Sequence, residues 1–459
     1  MNSPDVAVQH VATAVGARDE SAYRAAFQEL VDAVRSAAPE DIEPALVRLA
    51  PVLSEVPLGL ASDLGQVAGS MAGMLADTAP VLGVLVERAC RAMEQAAQFL
   101  ALYRASLGDP PSPDDAAALQ DTIERFVAAV QQQVAEPYAL VEAWFAGPNC
   151  VQPVLYLSQR ADVRSALPQR ERLLAAVESI REHFGTADWL YGLLLVLDDT
   201  PLIVLHRPTG RGYRVTIGGI GDNFQLQTLL AARLIGDPAA GWLPGVPLTA
   251  EMIAAADGSG EPQPRDGIAG RFNLVDPSGA WIWNEGRPAD IPVFEGERVV
   301  ILDPPPYERT WNAGRIYPLM QPTLRVDGQL PPDEAAARLA KARPASDWQD
   351  AAASFVVTDD LSIALPPSRT AAELVELVLQ AVLEGKPGSQ MERMLLAEFG
   401  LTVEDASAAC ERVFGGLVRA ATGNPANRPD PQKDPIASES YQRGCADPTL
   451  ITRIYPNLR

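Results

Sequence analysis

His10, His183 and His206 are the only imidazoles in this chain, so general-base or zinc chemistry would have to be assembled from very few parts. His206 falls in a predicted strand, where it could serve as a base in a sheet-lined pocket, although a satisfied structural histidine is the plainer reading. Glu182-His183 is followed by Phe184-Gly185, which excludes the helical His-Glu-x-x-His zinc pattern, and no spacing of Cys and His suits structural zinc.

The glycine-rich run Gly218-Gly219-Ile220-Gly221-Asp222-Asn223 lies between a predicted strand and a predicted helix. That placement could aim backbone amides of Gly218, Gly219 and Gly221 at an anion. The spacing matches neither the dinucleotide fingerprint nor the P-loop, and Asp222 or Asn223 as a helix N-cap accounts for the same residues.

The least ordinary feature is a short repeat. Trp283-Asn284-Glu285-Gly286-Arg287 recurs 28 residues later as Trp311-Asn312-Ala313-Gly314-Arg315. Two indole faces and two guanidinium forks could hold a planar ligand bearing carboxylate or phosphate, or a side chain of a protein partner. Alternatively, Asn-x-Gly turns the chain and Trp anchors the turn. Trp283, Arg287, Trp311 and Arg315 are the candidate ligand-binding residues, and Arg271, Arg211, Arg214 and Trp281 could join them.

Other motifs are weaker. Asp198-Asp199 and Asp359-Asp360 read as solvated turn residues before they read as a metal or glycosidase pair. Pro304-Pro305-Pro306-Tyr307 reads as a rigid loop before it reads as a polyproline ligand. Lysine occurs only at Lys341, Lys386 and Lys433, none in a Schiff-base or phosphate-loop context. Cys90, Cys150, Cys410 and Cys445 are isolated and read as reduced thiols. No cofactor signature, nucleophile elbow or kinase set is present, so no cofactor is expected.

The elements that must position these residues follow from pattern. Apolar residues recur at helical spacing from residue 4 to about 146, with breaks at Ala38-Pro39-Glu40, Pro57-Leu58-Gly59, Ala79-Pro80 and residues 108–113. Gly147-Pro148-Asn149 is expected to end this region, before an amphipathic helix over Gln169 to Phe184. Leu190 to Leu197, Leu202 to Arg207 and Tyr213 to Ile217 predict a three-stranded meander, followed by a helix from Asn223 to Leu234. Short strands are expected at Arg271 to Val275, Ala280 to Trp283 and Arg298 to Leu302, with a tight turn at Asp276-Pro277-Ser278-Gly279. A helix at Pro332 to Ala342 and strands near Ser354 to Val357 and Leu361 to Leu365 come next. Helices return at Arg369 to Glu384, Gly388 to Phe399 and Thr402 to Ala421.

The expected fold is α+β: an N-terminal helical bundle or short stack, a central antiparallel meander with a Trp/Pro-rich β unit, and C-terminal helices. The expected divisions are a helical domain over 1–148, a mixed domain over 165–330, a mostly helical region over 331–422 and an extended or disordered tail over 423–459.

The 459-residue chain carries a formal charge of −22, which disfavours nucleic acid as a partner. The excess is concentrated in residues 1–150, with 8 Arg against 20 acids, whereas 201–320 holds 10 against 13. An anionic ligand would therefore sit in the middle. Val81 to Leu102 is broken by Glu87, Arg88, Arg91 and Glu94, so no membrane insertion is expected, and with no secretory pattern at Met1 to His10 the expected location is the cytoplasm. The functional expectation is a non-catalytic protein that binds a protein partner or a small ligand. The alternative is an enzyme with His206 as base and Arg287 and Arg315 as clamps.

Overall fold

Helix periodicity, caps and proline placement build the first half of the chain. In the computed structural model, described for residues 3–264, 267–306, 309–312, 314–346, 365–366, 369–383, 388–421, 428–429, 435–447, 449–450 and 453, the helices α1 (Pro4–Ala17), α2 (Glu20–Arg35), α3 (Pro39–Glu55), α4 (Leu58–Gly73) and α5 (Ala79–Leu107) follow one another through short turns. The first, third and fifth open with proline in the first helical turn, where its missing N–H costs nothing. Then come α6 (Leu119–Val130), α7 (Pro137–Leu157), α8 (Ala161–Ala166), α9 (Arg170–Glu178) and α10 (Gly185–Leu194). One apolar core runs through all of them, from Ala7 to Leu194.

The expected break at Gly147-Pro148-Asn149 is corrected by α7, which runs straight through it and also contains Pro153. An interior proline costs about 3 kcal/mol. Full burial of Trp144, Val151 and Val154 on the same helix outweighs that, at roughly 1.5–3 kcal/mol for each aliphatic side chain and more for the indole. Close approach sets the geometry: a Cβ on Gly69 of α4 would lie 2.8 Å from Pro153 Cβ, so this helix crossing requires glycine.

A second correction concerns Leu190 to Leu197, expected as a strand. Leu190, Leu193 and Leu194 are buried on α10 while Trp189 is 50% exposed, which is helical spacing. A short continuous apolar run fits either element by pattern alone. The hairpin that follows is as expected: β1 (Thr200–His206) pairs antiparallel with β2 (Arg211–Gly218), in register from Thr200 opposite Ile217 to His206 opposite Arg211. Gly210 closes the turn at φ 69°.

The sheet contains β4 (Asn273–Val275), β6 (Glu297–Asp303) and β8 (Thr323–Gln329) as well, in the order β4-β6-β1-β2-β8. Thus β8 supplies the third strand of the antiparallel β1-β2-β8 run, and β6 lies parallel to β1. A short β5 (Val293–Phe294) pairs with β6, and β3 (Ile268–Ala269) pairs with β7 (Thr310–Trp311). The strand expected over Ala280 to Trp283 reduces to a single bridge, Trp281 to Val275. The turn before it forms as expected, with the Asp276 carboxylate accepting from the Ser278 and Ala280 amides.

Helices α11 (Asn223–Leu234) and α12 (Ala250–Asp257) pack on one another beside the sheet, α11 lending Leu226, Leu229, Leu230 and Leu234 to its core, and α13 (Pro332–Lys341) follows β8. The expected strands at Ser354 to Val357 and Leu361 to Leu365, and Asp359-Asp360, fall on or run into residues outside those described.

The C-terminal helices α14 (Ala371–Leu383), α15 (Gly388–Phe399) and α16 (Val403–Ala421) share a separate apolar core. Within the expected extended tail, Pro435–Ala446 instead forms α17, which buries Ile436 and Tyr441 in that core. Gly416 makes the crossing possible, since a Cβ there would meet the Ala437 carbonyl at 2.5 Å. Among the described residues no helix is long and apolar enough to cross a membrane.

Candidate functional site

The two Trp-Asn-x-Gly-Arg segments have different tasks. The first docks on the N-terminus of α11, where four backbone amides begin without intrahelical partners. Asn223 N donates to Gly286 O at 2.9 Å, Phe224 N donates to Asn284 O at 3.1 Å, and Asn223 Nδ2 donates to Trp283 O at 2.8 Å. Gln227 Nε2 adds a bond to Asn284 Oδ1 at 3.2 Å. The second segment clamps the opposite kind of helix end. Arg315, 9% exposed, donates to Ala255 O at 2.9 Å, Ala254 O at 3.3 Å and Gly260 O at 3.0 Å around the C-terminus of α12. Trp311 is buried and tilts against Phe224 with ring centroids 5.2 Å apart, whereas Trp283 leans on Trp281 at 5.5 Å. The sequence groups the two Trp/Arg pairs; the fold separates them by role.

The glycine run is a packed turn. Gly219 N donates to Leu197 O at 3.0 Å and Gly221 N to Gln225 Oε1 at 2.9 Å, so these amides are committed inside the protein. A Cβ on Gly218 would meet Thr323 Oγ1 at 2.8 Å, and one on Gly221 would meet Ile316 at 2.6 Å. Asp222 is the N-cap of α11, accepting from Gln225 N at 2.8 Å. Burial, with Glu285 adding to it, raises the Asp222 carboxyl to about 6 against the backbone amides that favour its charge.

A pH dependence follows from that burial. Between the unfolded value of 3.8 and about 6, the folded protein keeps a proton on Asp222 that the unfolded chain has released. Stability contributed by the neutral acid is full below that window and is lost as pH rises through it, by about 2–3 kcal/mol. Asp222→Asn keeps the cap and removes the titration. Urea unfolding at intervals from pH 4 to pH 7 is expected to show the wild-type decline and a flatter profile in the variant; equal slopes would refute the assignment.

His206 ends β1 at 6% exposure, with Nδ1 2.8 Å from Thr209 Oγ1 and its ring edge-on to Phe272 at 6.0 Å. Burial holds it below the ordinary imidazole value, Asp303 opposes that and Arg211 reinforces it. Arg211 itself bonds the Trp242 carbonyl and Pro238 O, while Arg214 pairs with Glu334. Among the described residues no three His, Cys, Asp or Glu side chains gather as metal ligands.

Arg287 differs from its counterpart. Its guanidinium lies against α10, with Cζ 5.7 Å from the centroid of the Tyr191 ring, and its Nε and Nη2 fill the space a Cβ on Gly192 would need, at 3.2 Å. Arg181 also covers Tyr191, at 4.6 Å, but is paired with Asp188 at 2.8 Å. Tyr317 closes the group by donating its hydroxyl to Trp189 O at 2.8 Å and meeting the Trp189 ring edge-on at 5.7 Å. Burial raises the Tyr317 phenol, keeping it a neutral donor. The Arg287 side chain has no hydrogen-bond or ion-pair partner among the described residues; only its backbone amide is engaged, with Asp290 Oδ2 at 2.9 Å. The cluster leaves the Arg287 donors unused by the described side chains, with an exposed indole beside them.

This recess sits on the seam between the helical stack and the sheet. Leu193 and Val196 pack on Tyr317 and Met320, and Leu319 N donates to Gln159 Oε1 at 3.0 Å. Of the nominated binding residues, Arg287 reaches it with its side chain, and Gly221 packs behind Tyr317. Trp189 and Tyr191 were missed because reading 190–197 as a strand hid the helical face, and Arg181 and Tyr317 because they reach α10 from a turn and a distant loop that no local pattern links to it. The chain matches no protein-family model, no curated protein and no solved structure.

Proposed function

We propose that the protein is a non-catalytic binding protein that receives an anionic group of a ligand at the seam, on Arg287. The observation that carries this reading is a half-buried guanidinium, positioned by Tyr191 and Gly192, whose donors are left uncommitted by the described residues. A folded chain that holds an arginine in place without using its hydrogen bonds has a ready-made receptor for carboxylate or phosphate. The enzyme alternative needs His206, Arg287 and Arg315 in one pocket, but His206 is held by Thr209 and Arg315 by three carbonyls.

Native mass spectrometry of protein purified gently from its own cells tests the reading. Wild type is expected to carry a bound molecule of constant mass, and Arg287→Ala is expected to lose it while melting at the temperature of wild type freed of that molecule. An adduct retained by the variant would move the site elsewhere. A bound molecule returned chemically altered on incubation would make the protein an enzyme.

A further inference from the structure

We propose that the Arg287 recess takes a monocarboxylate carried on a short apolar body, an inference that rests on the binding reading above and specifies its ligand. Charge sets the head group. Arg181 is paired with Asp188, whereas no described side chain bonds the Arg287 guanidinium, a planar fork matched to two carboxylate oxygens. A phosphate dianion would bring a second negative charge beside Asp188 and Asp290, which a single guanidinium meets less well.

Helix geometry sets the body. Arg287 rests on Gly192, and Trp189 is three residues earlier on the same helix, hence about 5 Å away on the same face. That indole is half exposed, braced edge-on by Tyr317, and its backbone carbonyl is already taken by the Tyr317 hydroxyl. What it offers a ligand is an apolar face with one N–H donor at its edge. A leucine-like side chain or a chain of a few methylenes spans the gap from carboxylate to ring.

The test uses the full-length protein labelled with 5-fluorotryptophan, with the Trp189 resonance assigned by its absence in Trp189→Phe. The probes are N-acetyl-leucine, its uncharged amide, hexanoate and inorganic phosphate. Either acid is expected to move the Trp189 signal saturably. The amide and phosphate should bind at least tenfold more weakly, as should N-acetyl-leucine to Arg287→Ala, whose other fluorine signals and melting temperature report an intact fold. N-acetyl-leucine binding tenfold tighter than hexanoate would identify the ligand as an amino-acid or peptide terminus; the reverse would identify a free aliphatic acid. No saturable shift with either acid, phosphate binding tighter than both, or equal affinity in Arg287→Ala would overturn the ligand class. In that event an Arg287-dependent adduct in the mass spectrum would leave the binding reading standing, and its absence would end both.

Discussion

Replacing Arg164 with Met is expected to cost about 3–5 kcal/mol, the range found when one partner of a buried ion pair is removed. The Arg164 side chain is 1% exposed and grips Asp198 with two bonds, Nε to Oδ2 at 2.9 Å and Nη2 to Oδ1 at 2.7 Å. Its remaining nitrogen donates to Ser158 O at 3.0 Å and Gln159 O at 2.8 Å, carbonyls that α7 leaves unpaired as it ends. Methionine fills the volume and satisfies none of these. Asp198 leads directly into β1, so the lost contacts are those that fasten the sheet to the helical stack. Asp198→Asn should cost less, about 1–2 kcal/mol, because the amide keeps one acceptor for the guanidinium. Urea unfolding followed by circular dichroism checks both: the midpoint should fall steeply for Arg164→Met at an unchanged slope. A shift under 1 kcal/mol would mean that water substitutes for the guanidinium and that the joint is not the anchor described here. Against a total stability of 5–15 kcal/mol, the larger value removes a substantial fraction.

The second large effect separates the two repeats. Arg315→Met is expected to destabilise by about 3 kcal/mol, because it strips donors from the buried carbonyls of Ala254, Ala255 and Gly260 at about 1–3 kcal/mol for each group left unsatisfied, partly recovered by apolar packing. Burial holds the Arg315 guanidinium below its ordinary value, with Asp257 and Glu261 opposing. Its partners are therefore neutral dipoles, and the loss should barely depend on salt. Arg287→Met makes no comparable cavity and breaks no side-chain hydrogen bond among the described residues, so its midpoint should stay within about 0.5 kcal/mol of wild type. Thermal and urea unfolding of the pair decides the matter. Equal, large losses would make Arg287 a second structural clamp; equal, negligible losses would free Arg315 for a ligand.

These contrasts explain how one repeated motif serves two tasks. Trp-Asn-x-Gly-Arg places an indole before a turn and a guanidinium after it; Gly286 N of the first copy donates to Trp283 O at 3.2 Å, whereas Gly314 N of the second donates to Pro262 O at 2.8 Å. What the arginine then meets depends on the helix end nearby. The carbonyl end of α12 consumes Arg315, whereas beside α10 Arg287 meets an aromatic face and a glycine. The paired acids show the same logic: Asp198 has the sequence context of a solvated turn residue, yet a buried arginine 34 residues earlier occupies both its oxygens.

The sequence alone determined the features whose hydrogen bonds close within one short stretch of chain. The α+β class, the β1-β2 hairpin, the Asp276 turn, Asp222 as the cap of α11 and Thr402 as the cap of α16 were legible because each donor and acceptor lies in the same short stretch. The tertiary structure decided what depended on burial against distant partners. Leu190 to Leu194 became helix because the helical core accepts its leucines, α7 continued through two prolines because Trp144, Val151 and Val154 are buried, and β1 found β6 as a parallel neighbour nearly a hundred residues along the chain. Local propensity differs between such alternatives by about 1 kcal/mol or less per residue, while each buried large side chain contributes about 1.5–3 kcal/mol. Where the two compete, packing wins, and the Arg287 recess, gathered from α10, the 283–287 turn and Tyr317, is a product of packing.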